Sequence, residues 1–306
     1  ESGIELIKTR KDFTYTYLSK NDDSSYKKLI KEADALVIRT QPLSRADIFS
    51  SQKLKIVSRH GVGYDAVDVN ALTEKSIPLT IVGDVNSQSV AEQSMTLLLA
   101  AFKRLIKSDR AVRVGPWNYR NQLESQEVNG KNLLILGYGR IGRRLAKMAS
   151  AFDMNVHAYD PYVETDQFCN VPVKKIDNLK DAINSADCIS VNMPKMESPL
   201  IAKKEFDCMK TGVVIVNTAR GGIIKEDDLM EALRNGKVGA AGLDVFDHEP
   251  PLSDNRFAAL DQVVMSPHVA GLSKESAEAM AVSSIQNVIN FFDGNLDMSL
   301  VVNQKI

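Results

Sequence analysis

The chain has 306 residues, of which 44% are hydrophobic and 25% charged. That length suits about two domains of roughly 150 residues, and the balance is that of a soluble globular protein, which excludes disorder, collagen and coiled coil. Lys and Arg number 38 against 39 Asp and Glu, a formal net charge of -1, so nothing draws the chain to a phosphate backbone and no nucleic-acid partner is expected. In chain order, β-branched runs predict strands over 35–38, 55–57 and 79–82, with helices over 26–32 and 69–75 between them. A longer helix is predicted over 89–108, with Val90, Met95, Leu98, Leu99 and Phe102 near helical spacing. Strands follow at 132–136, 156–159, 188–191, 213–216, 242–245 and 263–266, with helical stretches between most of them. The last helix, over 273–292, stops at Gly294. Strands alternating with helices call for parallel sheet with crossover helices, and an unbroken apolar run such as Val213–Val216 is what a strand buried on both faces looks like.

The cysteines are Cys169, Cys188 and Cys208. Three without CxxC spacing predict neither a disulfide framework nor a zinc cluster, and a reducing, cytoplasmic compartment is expected. The longest apolar runs, such as residues 97–102, are far too short to cross a bilayer, so no membrane is expected. The first five residues do not read as a signal peptide, and the chain lacks an initiator Met.

The apolar run 133–136 leads straight into Gly137-Tyr138-Gly139-Arg140-Ile141-Gly142 and then a helical stretch. GxGxxG alone is common. Between a strand and a helix it is a dinucleotide fingerprint: the first glycine allows the turn, the second lets backbone approach a pyrophosphate, and the third lets helix and strand pack closely. The helix then offers free N–H groups to the anion. The next strand ends at Asp160, where a carboxylate accepts from ribose hydroxyls and repels the 2′-phosphate of NADP. NAD is therefore the expected cofactor. A tight turn with an acidic helix cap is the structural alternative.

From here the sequence resembles the D-isomer-specific 2-hydroxyacid dehydrogenases, and within them the phosphoglycerate dehydrogenases. The likeness rests on Arg59-His60-Gly61-Val62-Gly63-Tyr64-Asp65, Ser89-Val90-Ala91-Glu92, Gly115-Pro116-Trp117, Asn217-Thr218-Ala219-Arg220-Gly221-Gly222, Gly242-Leu243-Asp244-Val245-Phe246 with Glu249-Pro250-Pro251, and Ser266-Pro267-His268-Val269-Ala270-Gly271, in that order. The resemblance implies an α/β fold with a Rossmann-type doubly wound parallel sheet over 88–275. It adds a smaller flavodoxin-like α/β substrate domain from 1–87 and 276–306. It also implies a homodimer, and a small 2-hydroxy or 2-oxo acid as substrate.

It further implies roles. Arg220 holds the substrate carboxylate, His268 exchanges the C2 hydroxyl proton, and Glu249 pairs with His268. Arg140 and Ile141 meet the pyrophosphate, and Met193 lines the adenine side. Thr218, Ala219 and Asp244 lie by the nicotinamide, where Asp244 either accepts from the carboxamide or is a buried structural carboxylate. Val62, Arg220, His268 and Gly271 also touch the cofactor. Val62 and Gly63 offer backbone N–H groups to the substrate, and Arg39 and Arg59 match arginines of the phosphoglycerate enzymes. Singly, Arg220 reads as a salt-bridge residue, Glu249 as a turn residue and His268 as a loop histidine; the ordered set carries the functional reading. His60 is a candidate substrate contact, His157 a packing residue, and no two histidines have metal-ligand spacing. The segment after Pro194 is short for the family, and the chain begins in what reads as the helix after the family's first strand. No regulatory domain is expected after Ile306. A glyoxylate or hydroxypyruvate reductase, and a dinucleotide-sensing corepressor-like protein, remain the alternatives.

Overall fold

The computed structural model describes residues 2–18, 23–168, 172–251 and 255–304, so Cys169 lies outside the described residues. The chain divides into two compact units, Glu1–Asn86 with Leu272–Ile306, and Ser87–Gly271. The expected ends were 87 and 275.

The first unit opens with α1 (Ser2–Lys8) and α2 (Asp23–Leu29). It continues through β1 (Ala35–Ile38), α3 (Arg45–Ser50), β2 (Ile56–Arg59), α4 (Val69–Glu74) and β3 (Leu79–Thr80). The three strands pair in parallel in the order β1-β2-β3. Ile38, Val57 and Leu79 from the strands are buried with Ile30, Ile48 and Leu72 in one cluster. Local chemistry starts the connecting helices: Ser44 and Asp47 form a capping box ahead of α3, and the Ala71 N–H donates to Asp68 at 2.9 Å ahead of α4. Such caps contribute about 1 kcal/mol each.

The second unit contains α5 (Ser87–Lys103), α6 (Leu105–Val114), β4 (Asn132–Leu136), α7 (Arg140–Ser150), β5 (Asn155–Tyr159), β6 (Val173–Lys175), α8 (Leu179–Ser185), β7 (Cys188–Val191), α9 (Lys203–Cys208), β8 (Val213–Asn217), α10 (Glu226–Arg234), β9 (Val238–Leu243) and β10 (Val263–Met265). Its seven strands form one sheet in the order β10-β9-β8-β7-β4-β5-β6, every pair parallel. Successive residues of β4 serve opposite faces: Leu133 and Ile135 are buried with Met95, Leu98 and Leu145, while Leu134 and Leu136 are buried with Ile183, Phe206 and Leu229. Burial on both faces explains why these strands read as unbroken apolar runs. The winding reverses between β4 and β7. In an open α/β sheet the ligand crevice lies there, beyond the carboxyl ends of the strands. The chain then returns to the first unit as α11 (Lys274–Phe292), which packs against α1 and β2, and Val301 bridges antiparallel to Thr80.

Several predicted elements differ: the helix expected over 26–32 is α2, which lies three residues earlier, and the strand expected over 79–82 ends at Thr80. The helix expected over 89–108 is two helices, broken at Arg104, whose φ is 51°. The strand expected over 242–245 is β9, which starts four residues earlier and ends at Leu243. Cys188 and Cys208 are free thiols. Among the described residues no helix is long and apolar enough to cross a membrane, and no group of His, Cys, Asp or Glu is arranged to hold a metal ion.

Candidate active site

The glycine turn joins β4 to α7 at the switch point. Gly137 has φ 95°, and a Cβ there would lie 2.5 Å from the Asn192 carbonyl oxygen beyond β7 and 3.1 Å from the Met193 Cβ. A Cβ on Gly142 would strike the Gly137 carbonyl. At Gly139, by contrast, a Cβ would meet nothing within 4 Å, and no side chain caps the start of α7. The second glycine thus faces open space in front of the helix N–H groups that Arg140 and Ile141 begin. The turn fits a pyrophosphate in the manner the motif predicts. Half-buried Met193 sits beside Gly137.

Asp160 follows β5 directly. One carboxylate oxygen accepts from the Tyr138 N–H at 2.8 Å and the other from the Tyr162 N–H at 2.9 Å. It therefore orders the glycine turn itself, and each oxygen keeps a lone pair for a further donor. Arg143 is committed nearby, its Nη2 to Gln167 at 2.6 Å and its Nε to the Tyr138 carbonyl at 3.1 Å.

β8 delivers the segment from Asn217 to Gly222. The Asn217 side chain accepts from the Ala219 N–H at 3.0 Å and donates to the Arg220 carbonyl at 2.9 Å, pinning both sides of the turn. Arg220 is half-buried, with Nη1 donating to the Ala219 carbonyl at 2.7 Å. Thr218 is buried, its hydroxyl 2.6 Å from that of Ser94. Gly221 lies so close to the Phe246 carbonyl that no Cβ fits. The Gly222 N–H donates to Asp247 at 2.7 Å, so this turn and the loop after β9 are laced together.

Asp244 is fully buried. Its carboxylate accepts from the Ser266 hydroxyl at 2.6 Å and from the N–H groups of Val269 and Ala270 at 2.9 Å each. Its carbonyl accepts from the His268 N–H at 2.9 Å. Of the two readings of Asp244, this geometry displays the structural one: the loop from Ser266 to Ala270 is wrapped around the carboxylate. The wrapping holds His268 at φ 52°, a region that L residues seldom adopt.

The His268 Nδ1 is 2.6 Å from a Glu249 carboxylate oxygen, and the other oxygen accepts from the Phe246 N–H at 3.0 Å. An ionised carboxylate only accepts, so Nδ1 carries the proton and Nε2 is the ring nitrogen left to work. The hydrogen bond to Glu249 outweighs burial and raises the imidazole above its ordinary value. Burial pushes the Glu249 carboxyl up, but the bonds from His268 and Phe246 outweigh it and hold it below its ordinary value. Arg220 is near enough to bear on both. Arg220, Glu249 and His268 therefore stand together beyond the carboxyl ends of β8, β9 and β10.

In the first unit, Arg59 ends β2. Its Nε donates to the Gly63 carbonyl at 2.6 Å and its Nη1 to the Ile38 carbonyl at 3.3 Å, so it fixes the glycine loop that follows. Val62 and Gly63 are half-exposed on that loop and Arg39 is exposed after β1. The His60 Nδ1 is buried with no hydrogen-bond partner among the described residues. Burial, and then the charges of Arg39 and Arg59, lower His60 below its ordinary value.

Sequence reasoning missed Asn217, Ser266, Ser94, Gln93 and Ser89 as supports of this site. For Ser89, Gln93 and Ser94 the visible signal was polar residues on the largely apolar helix α5, where a buried polar group needs a partner.

A family profile described as D-isomer specific 2-hydroxyacid dehydrogenase, NAD binding domain, matches residues 95–270. The D-3-phosphoglycerate dehydrogenase of Archaeoglobus fulgidus is 38% identical over 276 residues, covering 88% of this chain and 52% of that protein. A hydroxypyruvate reductase of Thermotoga maritima is 39% identical over 267 residues, 85% of each chain. Among solved structures, a glyoxylate reductase from Paecilomyes thermophila superposes with a TM-score of 0.89 at 26% identity, covering 100% of this chain and 95% of that one. The chain spans about half the length of the curated phosphoglycerate dehydrogenases it matches, 52% for the two archaeal ones.

Proposed function

As this chain belongs to the D-isomer specific 2-hydroxyacid dehydrogenase family, we propose that it interconverts a D-2-hydroxy acid and its 2-oxo acid, with NAD as the redox partner. The observation that carries this reading is the His268–Glu249 pair at 2.6 Å, in one unit with Arg220 and the glycine turn. NAD, when bound, accepts or donates the hydride at C2 of the substrate. The chain's residues do the rest. In reduction, the His268 Nε2 gives a proton to the carbonyl oxygen while Glu249 stabilises the imidazolium through Nδ1; in oxidation, Nε2 takes the hydroxyl proton. Arg220 holds the carboxylate and polarises the carbonyl, with the fork of donors that bidentate recognition needs. Backbone N–H groups of Arg140 and Ile141 meet the pyrophosphate, Asp160 meets the adenosine ribose, and Thr218, Ala219 and Gly271 flank the nicotinamide half. Val62 and Gly63 meet the substrate carboxylate. The test is NADH oxidation with a panel of 2-oxo acids; no turnover with any of them overturns the reading.

The favoured substrate is a phosphorylated acid of the 3-phosphoglycerate type, held by Arg39 with Arg59 and His60 beside it. Arg39→Ala should then raise KM for phosphohydroxypyruvate by about 10–100-fold, the worth of a charge-assisted hydrogen bond, and leave glyoxylate unaffected. One observation favours an unphosphorylated substrate instead: Arg59 already serves the Gly63 and Ile38 carbonyls. Under that second reading the protein is a hydroxypyruvate or glyoxylate reductase. Glyoxylate reduced as well as phosphohydroxypyruvate would decide for it.

A cytoplasmic homodimer completes the proposal. α6 buries none of its residues, and Leu105, Ile106, Val112, Val114, Trp117 and Leu123 are all exposed. Exposed large apolar side chains gathered along one segment, as here over 105–123, support a protein–protein interface. Light scattering should give twice the chain mass, and Val112→Glu with Val114→Glu should give the monomer.

A further inference from the structure

The N-terminal half of α5 reaches two of the three loops that carry the candidate catalytic residues, those of His268 and Arg220. The Ser89 hydroxyl donates to the Ala270 carbonyl at 2.6 Å. The Gln93 Nε2 donates to the Ser266 hydroxyl at 3.1 Å. The Ser94 hydroxyl donates to the Val90 carbonyl at 2.8 Å and stands 2.6 Å from the Thr218 hydroxyl, so in that contact Thr218 is the donor. Two of these bonds end on the loop bearing His268, and the Ser94–Thr218 bond ends two residues before Arg220.

The bonds are also directional. Ser266 has one hydroxyl proton. With Gln93 donating to its oxygen, that proton is turned to Asp244, 2.6 Å away. Asp244 in turn takes the N–H groups of Val269 and Ala270, on either side of which the chain is fixed by Gln93 at Ser266 and by Ser89 at Ala270. His268 sits in the middle of that arc, in a left-handed backbone conformation that relaxes if the arc loosens.

We propose that α5 sets the catalytic geometry, with Gln93 a positioning residue for His268 through Ser266 and Asp244, and Ser94 a positioning residue for Arg220 through Thr218. This rests on the proton-transfer role given above to His268. Neither α5 side chain touches the reacting atoms. Their effects are therefore separable by which loop each one holds.

The charged groups that bear on the His268 ring are Glu249, Arg220 and Asp244. If the arc loosens, His268 loses part of its bond to Glu249. Gln93→Leu should then lower kcat for 2-oxo acid reduction by about two- to tenfold, the worth of one hydrogen bond, and move the high-pH fall of activity to lower pH. Ser94→Ala should raise KM for the 2-oxo acid by a similar factor and leave that pH limb in place. Equal kcat, KM and pH limb in both variants, with only a lower Tm, would overturn the proposal. Titration of the His268 ring by NMR, assigned against His268→Asn, separates this from the functional reading. A protein that reduces no 2-oxo acid fails that reading, and the ring titration then decides alone: shifted to lower pH in Gln93→Leu, positioning stands; unshifted, it falls.

Discussion

Removing the His268 imidazole should lower kcat by about 10²–10⁴-fold, the usual worth of a positioned acid–base group, while NADH affinity changes far less. His268→Asn is a cleaner variant than His268→Ala. The residue holds φ 52°, which asparagine tolerates better than alanine, so the loop around Asp244 keeps its course. The pH dependence carries a sign. In reduction the imidazolium is the working form, and the bond to Glu249 raises its pKa. Activity should therefore be flat at low pH and fall as pH rises through that raised value. In oxidation the neutral ring works, so activity should rise over the same range. Glu249→Gln removes the first cause of the raised value, and the fall in reduction should move to lower pH. The glutamine amide would also donate to Nδ1, shifting the neutral ring's proton onto Nε2 and taking away the base needed for oxidation. Steady-state rates across pH, with NADH binding by fluorescence quenching, measure all of this. Near-normal turnover in His268→Asn across the range would sink the assignment.

The sequence revealed those parts of the fold that have a short-range cause. β4, β7 and β8 lie where apolar runs had put them, because strands buried on both faces leave no polar residue to confuse the pattern. β9 was misplaced for a packing reason. It runs Val-Gly-Ala-Ala-Gly-Leu, with none of the bulk that marks a strand, and a Cβ on Gly242 would lie 2.7 Å from the Leu97 Cβ of α5. Small residues are there to let the helix approach, and no window of nearby sequence shows that. The break at Arg104 is similar. No Gly or Pro announces it, and an arginine in a left-handed conformation is a choice made by the packing around it. At the site, Arg220, Glu249 and His268 were legible through ordered motifs. Asp244 was not resolved by sequence, because a buried acid looks the same whether it serves a ligand or a loop. Three donors on its carboxylate, from Ser266, Val269 and Ala270, come from residues more than twenty positions away.

Cofactor choice should turn on Asp160, with NADH preferred over NADPH. A 2′-phosphate at the ribose would stand beside a carboxylate. At about 4 Å and an effective dielectric near 20, that repulsion is on the order of 4 kcal/mol per unit charge before relaxation and screening. Arg143, which bonds to the same turn, is one candidate for a compensating clamp, and its guanidinium is committed to Gln167 and the Tyr138 carbonyl. Asp160 accepts from the Tyr138 and Tyr162 N–H groups and so braces the glycine turn, a role that the sequence did not reveal. Asp160→Ala therefore has two effects. It removes the repulsion, which favours NADPH, and it frees two backbone donors, which loosens the pyrophosphate cradle for both cofactors. NADH should lose affinity on both counts, through the ribose and through the turn, by about 10-fold or more for charge-assisted bonds of this kind. NADPH should change less, because its loss at the turn is offset by the relief of repulsion. The preference should narrow chiefly by a fall in kcat/KM for NADH. Equal kcat/KM for NADH and NADPH in the unmodified protein, or an Asp160→Ala variant that keeps its full preference, would show that Asp160 serves the turn alone.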